Sequence, residues 1–210
     1  MSAQTEAATS AAGKPAGPAP KIAYDKIFQI GFNKCATRAI SRFFHRHNLT
    51  TADWAKGELA QDIKASVEAG RKPLEAWPDV TVFSDMEYVR GNTVIEGYRY
   101  FREIHAAYPG ALFILNTRNV EAWIRSRSRH GEGGYVNTYR RHYKVKADQE
   151  VFDRWRIDWF RHNLEVVEFF SGERRDQLFI WDIERPDFDR LSDLIGIPLK
   201  AEKWKTVGKT

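Results

Sequence analysis

Four short, almost uninterrupted apolar runs divide this chain. They are KIFQIG (26–31), VTVFS (80–84), ALFILNT (111–117) and LFIWDI (178–183). Runs of this length and continuity are typical of strands that are buried on both faces, as in a parallel sheet. Because strands that alternate with helices build layered domains, the pattern predicts an α/β fold, a three-layer sandwich with a mostly parallel central sheet.

Helical periodicity fills the segments between these runs. The predicted helices are 37–47, 57–69, 95–107, 119–129, 150–171 and 187–195. Gly196 and Pro198 follow the last of them and form a helix stop. The Gly-rich stretch HGEGGYVNTY (130–139) lies between charged helices and is predicted to be a mobile loop over a site.

Composition predicts a single domain. A chain of 210 residues that is 42% hydrophobic buries one good core, which we place at 22–210. Residues 1–21 are rich in Ala, Pro and Gly and are predicted to be a disordered tail without the apolar centre of a secretory signal.

The single cysteine excludes an intramolecular disulfide, and no apolar stretch approaches the roughly 20 residues of a membrane span. We therefore expect a cytoplasmic protein without a transmembrane segment.

Positive charge is concentrated in one part of the chain. The segment from Arg118 to Lys146 holds eight Lys or Arg and two acids, whereas the net charge of the whole chain is +5. Such a stretch attracts anionic partners, although a solvated helical face is the alternative. No helix-turn-helix, zinc-finger or RNA-binding signature accompanies it, so nucleic acid is not an expected partner.

The turn after the first apolar run has the form of an anion-binding loop. In IGFNKCATR, Lys34 lies three residues after Gly31, and a predicted helix begins at Thr37 and Arg38. Successive N–H groups in a tight turn before a helix N-terminus form a concave anion site. The spacing G-x-x-K-x-x-T lacks the G-K-[ST] ending of the common nucleotide-binding loop, whose hydroxyl holds Mg²⁺. The turn is therefore predicted to hold a phosphate-like group in another way.

Polar residues also follow the second and third apolar runs. Asp85 and Glu87 lie in FSDMEY, and Arg118 closes the strand ALFILNT. Asn119 is a natural cap for the next helix, on which Ser126 lies two turns further along the same face. Because ligands bind at the carboxyl ends of parallel strands, all three turns are expected at one edge of the sheet. Arg118 and Ser126 are then placed to hold a second phosphate.

These motifs resemble those of the sulfotransferases that use 3′-phosphoadenosine 5′-phosphosulfate (PAPS). The segment IGFNKCATRAI resembles their 5′-phosphosulfate loop, and RNVEAWIRS resembles their 3′-phosphate motif, an arginine followed eight residues later by a serine. The likeness runs from about residue 26 to 130 and is greatest to a mainly bacterial branch with small single-domain members. Ala36 and Arg38 depart from the usual loop, in which a glycine and a second Thr or Ser stand at these positions.

The resemblance implies a P-loop-like sulfotransferase fold and transfer of a sulfuryl group from PAPS to an acceptor hydroxyl or amine. No metal is implied, and the product nucleotide is adenosine 3′,5′-bisphosphate. The residues that the resemblance assigns to the cofactor are Gly31, Phe32, Asn33, Lys34, Cys35, Ala36, Thr37, Arg38, Arg118 and Ser126.

The implied catalytic residues are Lys34, Asp85 and Glu87. Lys34 is expected to stabilise charge on the leaving oxygen, and Asp85 is expected to be the general base, with Glu87 second and His130 third. Charged surroundings favour a polar acceptor, such as a saccharide. Two other functions stay open: a non-catalytic anion- or nucleotide-binding module of the same fold, and a small-molecule kinase, against which the loop spacing argues.

Overall fold

The protein is described by a computed structural model over residues 17–205. Most of the predicted tail and residues 206–210 lie outside this range. The elements are β1 (Ile27–Gln29), α1 (Thr37–His45), β2 (Thr51–Asp53), α2 (Glu58–Glu68), β3 (Val82–Ser84), β4 (Glu87–Arg90), β5 (Thr93–Glu96), α3 (Phe101–Ala107), β6 (Leu112–Thr117), α4 (Val120–Ser128), α5 (Gly134–Tyr143), α6 (Asp148–Phe169), β7 (Leu178–Asp182) and α7 (Phe188–Ile195). Short 3₁₀ turns lie at Ala55–Gly57, Gly97–Tyr100, Gly172–Gln177 and Ala201–Lys203.

The predicted α/β architecture is confirmed. The five strands of the main sheet lie in the order β2-β3-β1-β6-β7, and every neighbouring pair is parallel. The four apolar runs form β1, β3, β6 and β7. Because β1 lies between β3 and β6, the turns that follow these three strands are neighbours at the carboxyl edge, as expected from the sequence.

The sheet divides the core into two layers. Along β1, Phe28 faces the layer that contains Trp155 and Trp159 of α6, whereas Ile27 faces the layer that contains Phe43 of α1 and residues of α7. Alternation of side chains along each strand fills both layers, which is why the strand sequences are continuously apolar. Within residues 17–205, no helix is both long and apolar enough to cross a bilayer.

The predicted helix 95–107 is wrong in its first half. Residues 93–96 form β5, which pairs with β4 in an antiparallel hairpin, and α3 begins only at Phe101. The two strands are joined by Gly91 and Asn92, and Gly91 has a φ of 61°. A glycine in the left-handed region at the first position of a two-residue loop is a hairpin signal, so the local turn chemistry overrides the apparent helical period.

The predicted loop 130–139 is also wrong from Gly134 onward, where α5 begins. Gly131 and Gly133 adopt positive φ values of 59° and 83°, so the glycines turn the chain between α4 and α5. The residues after them bury their side chains, with Val136 4% and Tyr139 0% exposed. Burial of these side chains stabilises helix α5, whereas the glycines only form the turn that precedes it.

Candidate active site

The loop after β1 is held in place by one side chain from the neighbouring strand. Asn116 of β6 accepts a hydrogen bond from the Gly31 N–H (3.0 Å) and donates to the carbonyl oxygens of Phe32 (3.1 Å) and Cys35 (2.8 Å). A Cβ on Gly31 would lie 2.2 Å from the Asn116 backbone oxygen, so only glycine fits there. The strand edge and the loop therefore form one unit.

The backbone of this loop contains two residues in the left-handed region. Lys34 and Ala36 both have left-handed φ values, 62° and 59°. Such residues in a turn direct successive N–H groups toward one concave point. Hydrogen bonding in α1 begins with Ile40 N–H donating to Ala36 O (2.9 Å), so the amides at the start of the helix have no intrahelical acceptor. Ala36 holds its conformation at a penalty of roughly 1 kcal/mol, which a glycine would avoid.

Two side chains support Asn33 at the tip of the loop. Trp123 of α4 donates its indole N–H to Asn33 O (3.0 Å), and Asn33 Nδ2 donates to the Tyr135 hydroxyl (2.7 Å). Tyr135 in turn donates to Glu87 Oε1 (2.6 Å). The loop is thereby connected through α5 to a buried carboxylate at the start of β4.

Arg118 lies where β6 ends and contacts the same loop. Its Nη1 donates to Lys34 O (3.2 Å), and its Nη2 lies 3.9 Å from a carboxylate oxygen of Glu184. The Nε atom is buried and has no hydrogen-bond partner among the described residues. This guanidinium therefore retains donor capacity beside the loop.

Ser126 lies on α4, three residues after Trp123. One turn of helix separates residues at this spacing, so both side chains lie on the same side. The Ser126 side chain is half-buried.

Lys34 is half-buried beside the carboxyl edge. Burial lowers the pKa of its ammonium group, and Arg38 and Arg118 lower it further, whereas Asp85 raises it. The side chain makes no hydrogen bond or ion pair with another described residue, so its charge remains available to a ligand.

Asp85 follows β3 directly, and its charge raises the pKa of Lys34. Its backbone has a φ of 52°, and its side chain is partly exposed. Burial, together with the nearby charges of Asp53 and Glu87, raises the pKa of Asp85 to about 8, although Arg38 and Lys34 act in the opposite direction. A carboxyl group with a pKa near the working pH is suited to proton transfer.

Further charged groups surround Asp85. Asp53, at the end of β2, accepts a hydrogen bond from the Ser84 hydroxyl (2.8 Å) and lies 4.0 Å from Arg38 Nε. Burial lowers the pKa of His130, and Lys34 and Arg38 lower it further, which places this ring near the same cations.

Glu87 has a different environment from Asp85. It is 4% exposed, and its Oε1 accepts hydrogen bonds from Tyr135 (2.6 Å), from Tyr139 (3.1 Å) and from the fully buried Arg127 (2.7 Å). Burial raises the pKa of Glu87, and Arg127 opposes this. The geometry is that of a buried ion pair beneath the loop, with one carboxylate oxygen already saturated.

The other predicted loop residues are mostly enclosed. Phe32 and Cys35 are both 0% exposed, and burial raises the pKa of the Cys35 thiol. Thr37, at the first position of α1, is also buried, whereas the Arg38 side chain is 59% exposed. Phe32 and Cys35 therefore offer a ligand only their backbone.

The sequence-based reasoning did not single out four residues that shape this site. These are Asn116, Tyr135, Arg127 and Asp53. One signal was present: Asn116 is a polar residue inside an otherwise apolar strand, and a buried amide needs partners. The other three act through contacts between distant parts of the chain.

A family model described as a sulfotransferase domain matches residues 26–156, which include the loop after β1, the turns after β3 and β6, and all of α4 and α5. No curated protein matches the chain significantly.

Replacing Asn116 with alanine should destabilise the fold. The substitution leaves the Gly31 N–H and two loop carbonyls without partners in a buried place, and each such group costs about 1–3 kcal/mol. We expect the free energy of unfolding, measured in denaturant, to fall by roughly 3 kcal/mol. Asn119→Ala is the matched control, because it removes only an exposed helix cap that contributes about 1 kcal/mol. Equal losses in the two variants would contradict the role given to Asn116.

Proposed function

The chain belongs to the sulfotransferase-domain family, and we propose that it transfers a sulfuryl group from PAPS to an acceptor hydroxyl or amine. The observation that carries this proposal is the contact between Arg118 and the loop, through the 3.2 Å hydrogen bond to Lys34 O. It brings together two segments that the resemblance assigns to the two phosphate-bearing ends of one nucleotide. Two such anion sites side by side suit a nucleotide with both a 5′ and a 3′ group.

The polar groups at this edge fit such a ligand. Lys34 has no partner within the described chain, Arg118 keeps a buried Nε without an acceptor, and the first amides of α1 are free of intrahelical bonds. Cationic and N–H donors together favour a polyanion. We assign the loop residues 31–38 to the 5′ end of the nucleotide, and Arg118 with Ser126 to its 3′-phosphate.

When bound, PAPS would supply an activated sulfuryl group with a phosphate leaving group. Lys34 and the loop amides would stabilise the negative charge that grows on that phosphate. Donors that are already oriented act efficiently because they need no reorganisation during the reaction, and loss of one typically lowers the rate by about 10²–10³-fold. Asn116 and Trp123 keep the loop in the required shape.

Asp85 is our choice for the group that takes the acceptor proton. It is partly exposed, it interacts electrostatically with Lys34, and its raised pKa makes its carboxylate a stronger base than an ordinary aspartate. Glu87 is a weaker choice, because Arg127 and two tyrosines already occupy its Oε1. His130 faces the same cations and remains the next group to test.

The acceptor that we propose is a polar small molecule or a saccharide. The candidate base is surrounded by the charged side chains of Lys34, Arg38 and Asp53, which suit a hydroxyl-rich molecule better than a flat apolar one. Release of adenosine 3′,5′-bisphosphate from PAPS should be screened with sugars, lipids and phenols as acceptors.

Binding and turnover separate this function from the alternatives. Thermal stabilisation by adenosine 3′,5′-bisphosphate in the absence of magnesium supports the sulfotransferase over a kinase, whose nucleotide would need the metal. Binding without turnover on any acceptor would instead favour a non-catalytic module of the same fold.

Arg118→Ala should weaken nucleotide binding selectively. Loss of a charge-assisted contact of about 1.5–3 kcal/mol lowers the affinity for adenosine 3′,5′-bisphosphate by roughly 10- to 100-fold. Adenosine 5′-monophosphate, which has no 3′-phosphate, should lose much less affinity by calorimetry. Equal losses for both nucleotides would mean that Arg118 only braces the loop through Lys34 O.

Lys34→Ala should reduce turnover more than it reduces product binding. Its charge is needed most as the leaving oxygen develops, so the rate should fall by about 10²–10³-fold. Steady-state kinetics with PAPS and calorimetry with adenosine 3′,5′-bisphosphate give the two quantities. A raised KM with an unchanged kcat would make Lys34 a binding residue only.

Asp85→Asn should lower turnover by about 10²–10⁴-fold and leave nucleotide affinity nearly unchanged. In the native protein, kcat should rise with pH through the pKa near 8, and bound nucleotide anions move this rise upward. In the folded protein the Asp85 carboxyl group keeps its proton up to a pH of about 8, whereas in the unfolded chain it loses the proton near pH 3.8. The free energy of unfolding therefore decreases as the pH rises from 3.8 to about 8. The variant should therefore be more stable than the native protein at pH 8, which separates lost chemistry from lost folding.

Glu87→Gln is the control for Asp85. It should destabilise the fold, because the buried Arg127 loses a charged partner, while the pH dependence of kcat is preserved. A large loss of kcat in a well-folded Glu87→Gln protein would transfer the role of base to Glu87.

A further inference from the structure

Helix α6 has an exposed apolar stripe that faces away from the core. Its members are Ile157, Phe160, Leu164 and Val167, which are 56%, 60%, 58% and 43% exposed. They form most of the large hydrophobic residues that are exposed in residues 17–205. Isolated apolar residues on a surface need no explanation, but a continuous row on one helix marks an interaction site.

The opposite face of α6 already forms the core. Trp155, Trp159 and Val166 are buried there, and His162 donates from Nε2 to Ile30 O (2.7 Å) at the end of β1. The orientation of the helix is therefore set by contacts that leave the stripe outside. Ile180 of β7 is a further exposed apolar residue, 46% exposed, on the sheet face that α6 covers.

The segments 1–16 and 206–210 offer little apolar surface to cover this stripe. Residues 1–16 contain one large apolar side chain, Met1, and residues 206–210 contain one, Val207. A membrane surface is also a poor match, because α6 carries six acidic residues and three arginines. Anionic lipid would be repelled by this net charge.

The spacing of the stripe identifies the partner. Steps of three, four and three residues are those of alternate a and d positions in a coiled-coil heptad, with Ile157 and Leu164 at a, and Phe160 and Val167 at d. A row of this kind is complementary to another copy of itself. We propose that two copies of the chain associate through their α6 helices, packed antiparallel about a two-fold axis near residues 161–163.

Charges beside the stripe fix the antiparallel orientation. Arg154 and Glu168 occupy e positions, both are exposed, and neither forms an ion pair with another residue in 17–205. In an antiparallel pair, e positions face e positions, so Arg154 lies opposite Glu168 at two places, once for each copy, whereas the two Arg161 side chains meet only once, near the axis. In a parallel pair, g faces e, which would bring Arg156 against Arg161 of the partner.

The size of the patch fits the centre of a dimer interface. The largest apolar patch on a monomeric protein covers about 300–600 Å² and is often a functional surface. A standard interface buries about 800 Å² on each partner around such an apolar centre. The polar rim would come from the charged residues that flank the stripe.

The oligomeric state tests the proposal directly. Sedimentation velocity of the full chain should give a dimer, and the double variant Phe160→Ser with Leu164→Ser should give a monomer with unchanged circular dichroism. We expect the dissociation constant to rise by roughly 30-fold or more, the effect of losing a hot-spot side chain. Trp54→Ser is the matched control, since Trp54 is 45% exposed but lies outside α6. A native chain that stays monomeric at every concentration, or that binds neutral lipid vesicles through the stripe as a monomer, overturns the proposal.

The orientation is tested by cross-linking. Two copies of residue 161 would lie beside the axis, whereas two copies of residue 154 would be about 21 Å apart at 1.5 Å per residue. A short bis-maleimide should therefore link Arg161→Cys protein to itself and leave Arg154→Cys protein unlinked. The native Cys35 is fully buried and does not compete. Because e does not face e in a parallel pair, cross-linking of neither variant would contradict the antiparallel pairing, and so would cross-linking of Arg154→Cys protein.

A charge exchange gives an independent readout. Arg154→Glu should weaken the dimer, because two acidic residues then face each other, and Arg154→Glu combined with Glu168→Arg should restore it. A double variant as weak as the single one would contradict the pairing. None of these measurements uses catalytic activity, so their outcome is independent of the proposed sulfuryl transfer.

Discussion

The three hydrogen bonds of Asn116 hold together the part of the molecule on which the candidate site depends. One amide from β6 satisfies the Gly31 N–H and two carbonyls of the loop after β1, at a place where water is excluded. Without it, a loop with left-handed residues at Lys34 and Ala36 would lose the hydrogen bonds that join it to β6. The strand edge thus supplies the rigidity that an anion site needs, because preorganised donors bind without reordering.

A buried charge network supports the same loop from below. Arg127 is fully enclosed, and its ion pair with Glu87 reaches Asn33 through the hydroxyl of Tyr135. Burial of charge is unfavourable unless every partner is present, so this network is a demanding way to position a loop. It also explains why two acids that are two residues apart have different environments. Glu87 is committed to the network, whereas Asp85 remains partly exposed beside Lys34.

Helix α6 links the support of the site to the outer surface. Its inner face packs Trp159 against Phe32, and the His162 ring hydrogen-bonds to Ile30 O at the end of β1. Burial lowers the pKa of His162 to about 4, so the ring is neutral at pH 7 and its Nε2–H can donate to the carbonyl. The outer face carries the apolar stripe. A helix that is apolar on two opposite faces can pack one face against the core and the other against a partner. The proposed dimer therefore leaves the contacts between α6 and the sheet unchanged.

The sequence by itself determined the four main strands, the layered α/β fold, the form of the loop at 31–38 and the positions of Arg118 and Ser126 on a strand end and its helix. These follow from periodicity and from motifs a few residues long, which report local conformation and which face of an element is buried. Only the tertiary structure decided the partners: Asn116 for Gly31, 85 residues away, and Tyr135 for Asn33, 102 residues away. It also decided that 93–96 is a strand, that α5 replaces the predicted loop, and that β2 brings Asp53 beside Arg38. The physical reason is that hydrophobic pattern specifies burial, but hydrogen bonds and ion pairs between distant residues depend on the packing of whole elements.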